Sequence, residues 1–184
     1  FVEKVWNRAA QLGKKDYSVV IHGKPQHEET RATFSHSSAY AKSMVVKNMA
    51  EAEVLAAYVR GERDWQGFTA DFPGRTSPGF RVPEDLQRFG VVNQTTMLAS
   101  DTQAIADHLK AAVESRDGGS SALFANTRDT LCYATLDNQT ATSKALDLAR
   151  ETADVAMVVG GYNSSNTSHI VELCEEVLPT FFIS

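Results

Sequence analysis

The sequence predicts an α/β fold built on parallel sheets, and two observations support that prediction. Short apolar runs alternate along the chain with longer segments whose apolar residues recur every three or four positions, which gives the order strand, helix, strand, helix. The strand-like runs are apolar at nearly every position, as expected of strands buried on both faces of a parallel sheet. The 184 residues, 42% of them hydrophobic, suffice for one ordinary domain or two small ones.

The first half of the chain contains three predicted strands. A helix over residues 2–12 ends near Gly13, and helical spacing returns over residues 50–59. The β-branched and apolar runs predict strands over residues 17–21, 43–46 and 89–92. Residues 60–83 hold four glycines and three prolines, which predicts a surface insertion with one helical turn over residues 69–72 and no chemistry.

The second half repeats the alternation. An amphipathic helix is predicted over residues 101–115, with Ser100 or Asp101 as its N-cap, and residues 120–130 are ambiguous. Further helices are predicted over residues 140–151 and 169–177, and strands over residues 154–159 and 180–183.

Composition excludes several classes of function. A net charge of −5 and a pI near 5.5 argue against a nucleic-acid surface, and no apolar run reaches the roughly 18 residues of a membrane span. Cys132 and Cys174 are too few for a disulfide scaffold, which favours a reducing compartment, and too few alone for a zinc or iron–sulfur site. No segment resembles a leader peptide. The chain begins at Phe1 without Met and stops at Ser184 directly after an apolar strand-like run, so we expect a piece of a longer protein.

Polar loops follow the predicted strands, and parallel sheets bind ligands at the carboxyl ends of their strands. Each loop is rich in hydroxyls and amides and contains no Lys or Arg. The four loops are HEET at 27–30, NQTT at 93–96, CYAT at 132–135 and NSSNTS at 163–168.

The loop over residues 163–168 is the most informative of the four. Gly160 and Gly161 make a tight exit from a strand, and Ser164 to Ser168 stand at the start of a helix. Unpaired backbone N–H groups at a helix start, joined by hydroxyls and amides, predict an anion site, most often for phosphate. A simple run of N-cap residues is the alternative reading.

The other loops leave more than one reading open. His27 and Glu29 form an H-x-E pair that suits proton transfer, a two-ligand contribution to a metal site, or plain helix capping. Gln94 and Thr95 are either site residues or a turn with a cap. Cys132 is a reactive thiolate or a small buried hydrophobe, whereas Cys174 lies among apolar helix residues and is predicted to be core.

Together these motifs resemble the 4-hydroxy-3-methylbut-2-enyl diphosphate reductase family, and the IHGK and HEET forms resemble its plant and cyanobacterial branch. The motifs are FVEKVW, VVIHGK, HEET, NQTTML, DTLCYAT with Asn138-Gln139, and VVGGYNSSNTSHIVELCE. The resemblance implies three α/β units arranged as a trefoil around an iron–sulfur cluster. Residues 1–128 would form the second unit, with the insertion near 60–83, and residues 129–184 part of the third.

The resemblance also implies roles for individual residues. It makes Cys132 one ligand of a [4Fe-4S] cluster and Glu29 the proton donor, with Thr95 near the substrate hydroxyl and Gln94 beside it. Diphosphate contacts would come from His27, Ser164, Ser165 and Asn166. Like charge disfavours an ionised acid, so a bound diphosphate would help to keep Glu29 protonated.

The implied reaction is the reductive removal of the allylic hydroxyl of the substrate, which gives isopentenyl and dimethylallyl diphosphate. Ferredoxin or flavodoxin would supply electrons, in a bacterial cytoplasm or a plastid, with no nucleic-acid or membrane partner. The family needs two further cluster cysteines that this sequence lacks, so the 184 residues alone should neither hold the cluster nor turn over. Two alternatives are a cluster-free module that binds phosphate ligands and a hydrolase that uses Glu29 and His27.

Overall fold

The structure is a computed structural model that describes residues 2–125 and 133–184. The helices are α1 (Val2–Gly13), α2 (Glu28–Ser38), α3 (Met49–Val59), α4 (Phe68–Asp71), α5 (Ala99–Arg116), α6 (Tyr133–Ala149) and α7 (Ser165–Glu175), with 3-10 turns at Trp65–Gly67 and Glu84–Leu86. The strands are β1 (Ser18–His22), β2 (Ser43–Val46), β3 (Phe89–Asn93), β4 (Phe124–Ala125), β5 (Ala156–Val159) and β6 (Thr180–Ile183).

The described residues fall into two compact units. Unit 1 comprises those within Phe1–Thr95 and Ser100–Thr130, and unit 2 comprises Thr96–Ala99 together with those within Leu131–Ser184. The boundary that the sequence predicts, between residues 128 and 129, lies outside the described residues.

Unit 1 is built on a parallel sheet in the order β2-β1-β3-β4. Val20 in the central strand β1 stands opposite Met44 of β2 on one side and Val91 of β3 on the other. Every residue of β1, β2 and β3 is buried, which is why apolar residues occupy consecutive positions in these strands instead of alternating with exposed polar ones. The predicted α/β fold with parallel sheets is confirmed.

Two apolar clusters cover the two faces of this sheet. Val19 and Ile21 point to the face covered by α1, where Val5, Ala9 and Leu12 are buried. Val20 points to the other face, which packs against the apolar residues of α3 and α5. Alternate residues of one strand therefore serve opposite cores, as the pleat requires.

The glycine- and proline-rich insertion folds back onto the edge of the sheet. Its helical turn α4 begins at Phe68, one residue before the predicted start, and Phe68 and Phe72 enter the core. The amide of Val45 in β2 donates to the carbonyl of Arg75 (2.9 Å), and the amide of Ser77 donates to the carbonyl of Ser43 (2.8 Å). The insertion therefore covers the outer edge of β2.

Unit 2 pairs β5 with β6 in parallel, with Ala156 opposite Thr180 and Val159 opposite Ile183. Helix α7 packs against both strands and against α6. Burial alternates along each strand, so one face of this sheet lies under helix and the other is exposed.

Several predicted helix starts are wrong. Helix α5 begins at Ala99, so Ser100 and Asp101 lie inside its first turn and are not N-caps, and the amide of Ala99 donates to Oε1 of Gln139 (3.3 Å). Helix α6 begins at Tyr133 and α7 at Ser165, well before the predicted starts at 140 and 169. In both cases a polar segment that reads as a loop forms helix, and a polar residue of each segment, Gln139 in α6 and Ser165 in α7, is buried.

Among residues 2–125 and 133–184, no helix is both long enough and apolar enough to cross a membrane.

Candidate functional site

A buried amide joins two loops at the carboxyl end of the unit 1 sheet. Gln94 directly follows β3 and is fully buried. Its Oε1 accepts hydrogen bonds from the amide of Lys24 (3.1 Å) and from Oγ1 of Thr30 (2.9 Å), both in the segment after β1. The backbone N–H of Gln94 donates to the carbonyl of His22 (2.8 Å). These bonds hold the segment that contains HEET against the segment that contains NQTT.

Glu29 and His27 lie together at the start of α2. His27 is the N-cap, and its Nδ1 accepts a hydrogen bond from the amide of Glu29 (3.2 Å). Because Nδ1 accepts, the neutral ring carries its proton on Nε2 and presents a donor there. Oε1 of Glu29 accepts from the amide of Thr95 (2.5 Å). The structure therefore brings the predicted residues His27, Glu29, Gln94 and Thr95 into one cluster.

Gly23 makes room for this cluster. A Cβ atom at residue 23 would lie 2.5 Å from Oγ1 of Thr30 and 3.0 Å from Cβ of Gln94. No role was predicted for Gly23, and none for Thr30 individually. A glycine directly after a buried strand was the available signal, because it often marks a close approach between chain segments.

Two further buried polar residues lie behind the cluster. His22 is 1% exposed, and its Nδ1 forms a hydrogen bond with Oγ1 of Thr102 in α5 (2.9 Å). Asn93 is also 1% exposed and donates through Nδ2 to the carbonyl of Gln94 (3.0 Å). Its Oδ1 has no hydrogen-bond partner among the described residues. That acceptor can take a donor from a water molecule or a ligand.

The NSSN motif forms the start of α7 in unit 2. Ser164 is the N-cap, and its Oγ accepts from the amide of Thr167 (3.3 Å). Oδ1 of Asn166 accepts from Nε2 of Gln139 (3.5 Å), and Ser165 is buried. The Ser164 hydroxyl and the Asn166 NH₂ group are side-chain donors at this helix start.

Capping takes up part of this loop. Oγ of Ser168 donates back to the carbonyl of Ser164 (3.2 Å), so this hydroxyl bonds within the helix. Gly160 packs tightly on the same turn, because a Cβ there would lie 2.8 Å from Cγ2 of Thr167. The capping reading therefore applies to Ser164, and the anion site at this helix start stays a prediction.

The structure describes one of the two cysteines. Cys174 is buried, as predicted, and burial followed by the charge of Glu175 raises the pKa of its thiol. A protonated core thiol is a poor metal ligand. Cys132 lies outside the described residues. Within the described part of the chain, no group of three or more His, Cys, Asp or Glu residues could hold a metal ion, so these donors do not form a cluster site.

Comparison with known proteins decides the family. A family model described as LytB protein matches residues 1–184. The chain belongs to the LytB family. This confirms the resemblance drawn from the motifs.

Relatives of this chain are named 4-hydroxy-3-methylbut-2-enyl diphosphate reductase. The relative from Synechococcus sp. (strain RCC307) is 40% identical over 177 residues, covering 94% of this chain and 41% of the relative. The relative from Gloeobacter violaceus is 39% identical over 185 residues, covering 100% and 43%. The chain spans less than half the length of these curated relatives.

Two solved structures share the fold. The E-1-hydroxy-2-methyl-but-2-enyl-4-diphosphate reductase from Plasmodium falciparum matches with a TM-score of 0.67 at 19% identity, covering 100% of this chain and 46% of the other. A structure titled (E)-4-hydroxy-3-methyl-but-2-enyl diphosphate reductase matches with a TM-score of 0.51 at 23% identity. At these identities the matches support the α/β architecture.

Proposed function

We propose that this chain is part of an iron–sulfur reductase that removes the allylic hydroxyl of 4-hydroxy-3-methylbut-2-enyl diphosphate and yields isopentenyl and dimethylallyl diphosphate. The main support is the cluster of His27, Glu29, Gln94 and Thr95, which the fold gathers at the carboxyl end of β1 and β3 in a chain of the LytB family. The names of the longer relatives agree with this activity.

The cluster suits proton transfer to a departing hydroxyl. Glu29 is half-buried, and the amide of Thr95 fixes one of its oxygens, which leaves the other oxygen for a proton. The side-chain hydroxyl of Thr95, the residue whose amide binds Glu29, would orient the substrate hydroxyl. The Nε2–H of His27 is a donor for a phosphate oxygen.

The start of α7 is proposed to bind the diphosphate. The Ser164 hydroxyl and the Asn166 NH₂ are neutral donors at the positive end of a helix dipole, with Ser165 in the same turn. Such donors bind a diphosphate without the lysines and arginines that this loop lacks.

The proposed activity requires a source of electrons. We assign this chemistry to a [4Fe-4S] cluster with Cys132 as one ligand and the other ligands outside these 184 residues, reduced by ferredoxin or flavodoxin. On this proposal the 184-residue chain alone has no reductase activity.

The test compares adjacent carboxylates in the complete enzyme that contains this chain. After anaerobic cluster reconstitution, Glu29→Gln should lower kcat by about 10²–10⁴-fold, because a positioned general acid contributes that much. Glu28→Gln is the matched control, since Glu28 is exposed and precedes Glu29 in the same turn. Equal activity of the two variants, or no cluster absorption in the complete enzyme, would overturn the proposal.

A cluster-free phosphate-binding module is the second candidate, and the donors at the start of the 11-residue helix α7 favour it. On this reading, inorganic diphosphate should bind the 184-residue chain in calorimetric titration, and Ser164→Ala should abolish binding. A folded chain that binds no diphosphate would exclude the module.

A further inference from the structure

The insertion over residues 60–83 forms one wall of a cavity. The cavity has a volume of about 400 Å³ and opens between the segment after β1, helix α2, strand β2 and the insertion. It lies entirely within unit 1. The insertion was predicted to carry no chemistry, but Gly74 and Arg75 line this cavity.

The position of the insertion wall is fixed by backbone hydrogen bonding. The carbonyl of Arg75 accepts from the amide of Val45, so Arg75 is held beside β2. Gly74 adopts a φ of +65°, which favours glycine and turns the chain at this point. This wall of the cavity is therefore held against the sheet, and the backbone position of Arg75 is fixed.

The cavity combines an apolar surface with two guanidinium groups. Pro25, Phe34 and Val45 supply apolar wall, while Arg31 and Arg75 supply positive charge. No described carboxylate pairs with Arg31, which is exposed. Arg75 forms two long hydrogen bonds with the carboxylate of Glu51, from Nη2 to Oε1 at 3.3 Å and from Nη1 to Oε2 at 3.4 Å.

Glu51 is itself engaged elsewhere. Its Oε2 accepts from the amide of Lys47 at 2.7 Å, a shorter bond than either of its bonds to Arg75. Glu51 therefore offsets the charge of Arg75 only in part, and no described carboxylate offsets that of Arg31. Within a chain of net charge −5, this is a locally positive pocket.

We propose that this cavity binds a small ligand with an apolar body and an acidic head group, either a carboxylate or a phosphate monoester. Its volume lies within the roughly 300–1,000 Å³ of small-molecule pockets. Guanidinium groups bind carboxylate and phosphate through paired, charge-assisted hydrogen bonds. The inference does not rest on the proposed reductase function.

The cavity adjoins the candidate site through one residue. Thr30 lines the cavity, and its hydroxyl donates to Gln94 on the other side. Gln26 and Thr30, which line the cavity, flank His27 and Glu29 in sequence. An occupant therefore contacts the segment of chain that presents the proposed proton donor.

The test uses amide chemical shifts of the isotope-labelled 184-residue chain during titration with phenyl phosphate and benzoate. Either acid should shift the amides of Thr30, Gly74 and Arg75, with a Kd of about 1 mM or below. Whichever acid binds more tightly identifies the head group. Benzyl alcohol has the ring without the charge, and inorganic phosphate has the charge without the ring, so each should bind at least about tenfold more weakly.

Two variants and one control locate the binding. Arg31→Gln should weaken the acid at least about tenfold, because it removes a charged donor. Gln26→Trp should block binding by filling the cavity, and both replaced residues are exposed, so the fold should persist. Lys110→Gln removes a positive charge that does not line the cavity and should change nothing. Absence of shifts with either acid, or unchanged affinity in Arg31→Gln, would overturn the proposal.

Discussion

Gln94 connects two segments that are distant in sequence, because one carbonyl oxygen accepts from residues 70 and 64 positions away. A buried acceptor that loses a donor keeps the cost of its own desolvation. The arrangement of Glu29 and Thr95 therefore depends on a bond to which neither contributes.

Thr30→Val should lower the free energy of unfolding by about 1 kcal/mol, because it removes the hydroxyl donor with little change of shape. Urea denaturation of the 184-residue chain measures the effect. Thr69→Val is the matched control, since Thr69 is exposed and should change stability by less than about 0.5 kcal/mol. Equal losses would show that the buried bond contributes nothing.

Gly23→Ala should destabilise unit 1 by about 1–3 kcal/mol, because the added methyl would overlap Thr30 and crowd Gln94. Gly161→Ala is the control, since no atom lies within 4 Å of a Cβ at residue 161. Thermal unfolding distinguishes the two variants. A wild-type melting temperature for Gly23→Ala would contradict this packing.

At the scale of elements, the insertion protects the edge strand β2. Ser77 is 4% exposed, and its Oγ accepts from the amide of Ser43 (3.0 Å). Exposed edge strands promote association between chains, and a covering segment prevents it.

Ser77→Ala should cost about 1–3 kcal/mol of unfolding free energy, because it leaves the buried amide of Ser43 without this acceptor. Ser35→Ala in α2 replaces an exposed serine and serves as the control in the same urea series. A loss no larger than that of the control would mean that the amide finds another acceptor.

Tyr58 gives the insertion a pH-dependent attachment. Burial, followed by the hydrogen bond to Oδ2 of Asp71 (2.6 Å), raises the pKa of its phenol above 10.0. The folded chain thus holds this proton more tightly than the unfolded chain. The stabilisation is fully present below pH 10 and is lost as the pH rises through the folded-state pKa.

The unfolding free energy should therefore fall above pH 10, and less steeply in Tyr58→Phe than in the wild type. Urea denaturation at pH 8 and at several values above pH 10 gives the two slopes. Tyr40→Phe, at a residue that is 55% exposed, should reproduce the wild-type slope. Parallel curves for the wild type and Tyr58→Phe would contradict the assignment.

At the scale of the whole molecule, the two sheets differ in how they are covered. The sheet of unit 1 is buried on both faces, whereas Met157, Val159 and Phe181 in unit 2 are 63%, 73% and 58% exposed. Apolar side chains that remain exposed add little to folding stability.

Phe181→Glu should accordingly change unfolding free energy by less than about 0.5 kcal/mol and reduce the binding of an apolar fluorescent dye. Phe89→Ala, at a fully buried residue of β3, should cost about 3–5 kcal/mol. A large loss of stability in Phe181→Glu would show that this face is covered in solution.

Strands β1, β2 and β3 were predictable because their burial leaves a local signature of continuous apolar residues, whereas the two-residue strand β4 lies in the segment that the sequence left ambiguous. Helix starts were harder, since Ala99 is capped by Gln139, 40 residues away, and no local pattern records that bond. Glu29, Gln94 and Thr95 could be named from their motifs, but their contacts depend on the pairing of β1 with β3.

By itself, the sequence determined the parallel α/β class, most strand positions and the core position of Cys174, because burial and periodicity leave local patterns in the sequence. Its motifs also indicated the protein family. Only the tertiary structure decided that Gln94 holds Thr30, that Gly23 must be small, and that the insertion covers β2 and places Arg75 opposite α2. Those contacts join segments far apart in sequence, and the strand order β2-β1-β3-β4 brings them together.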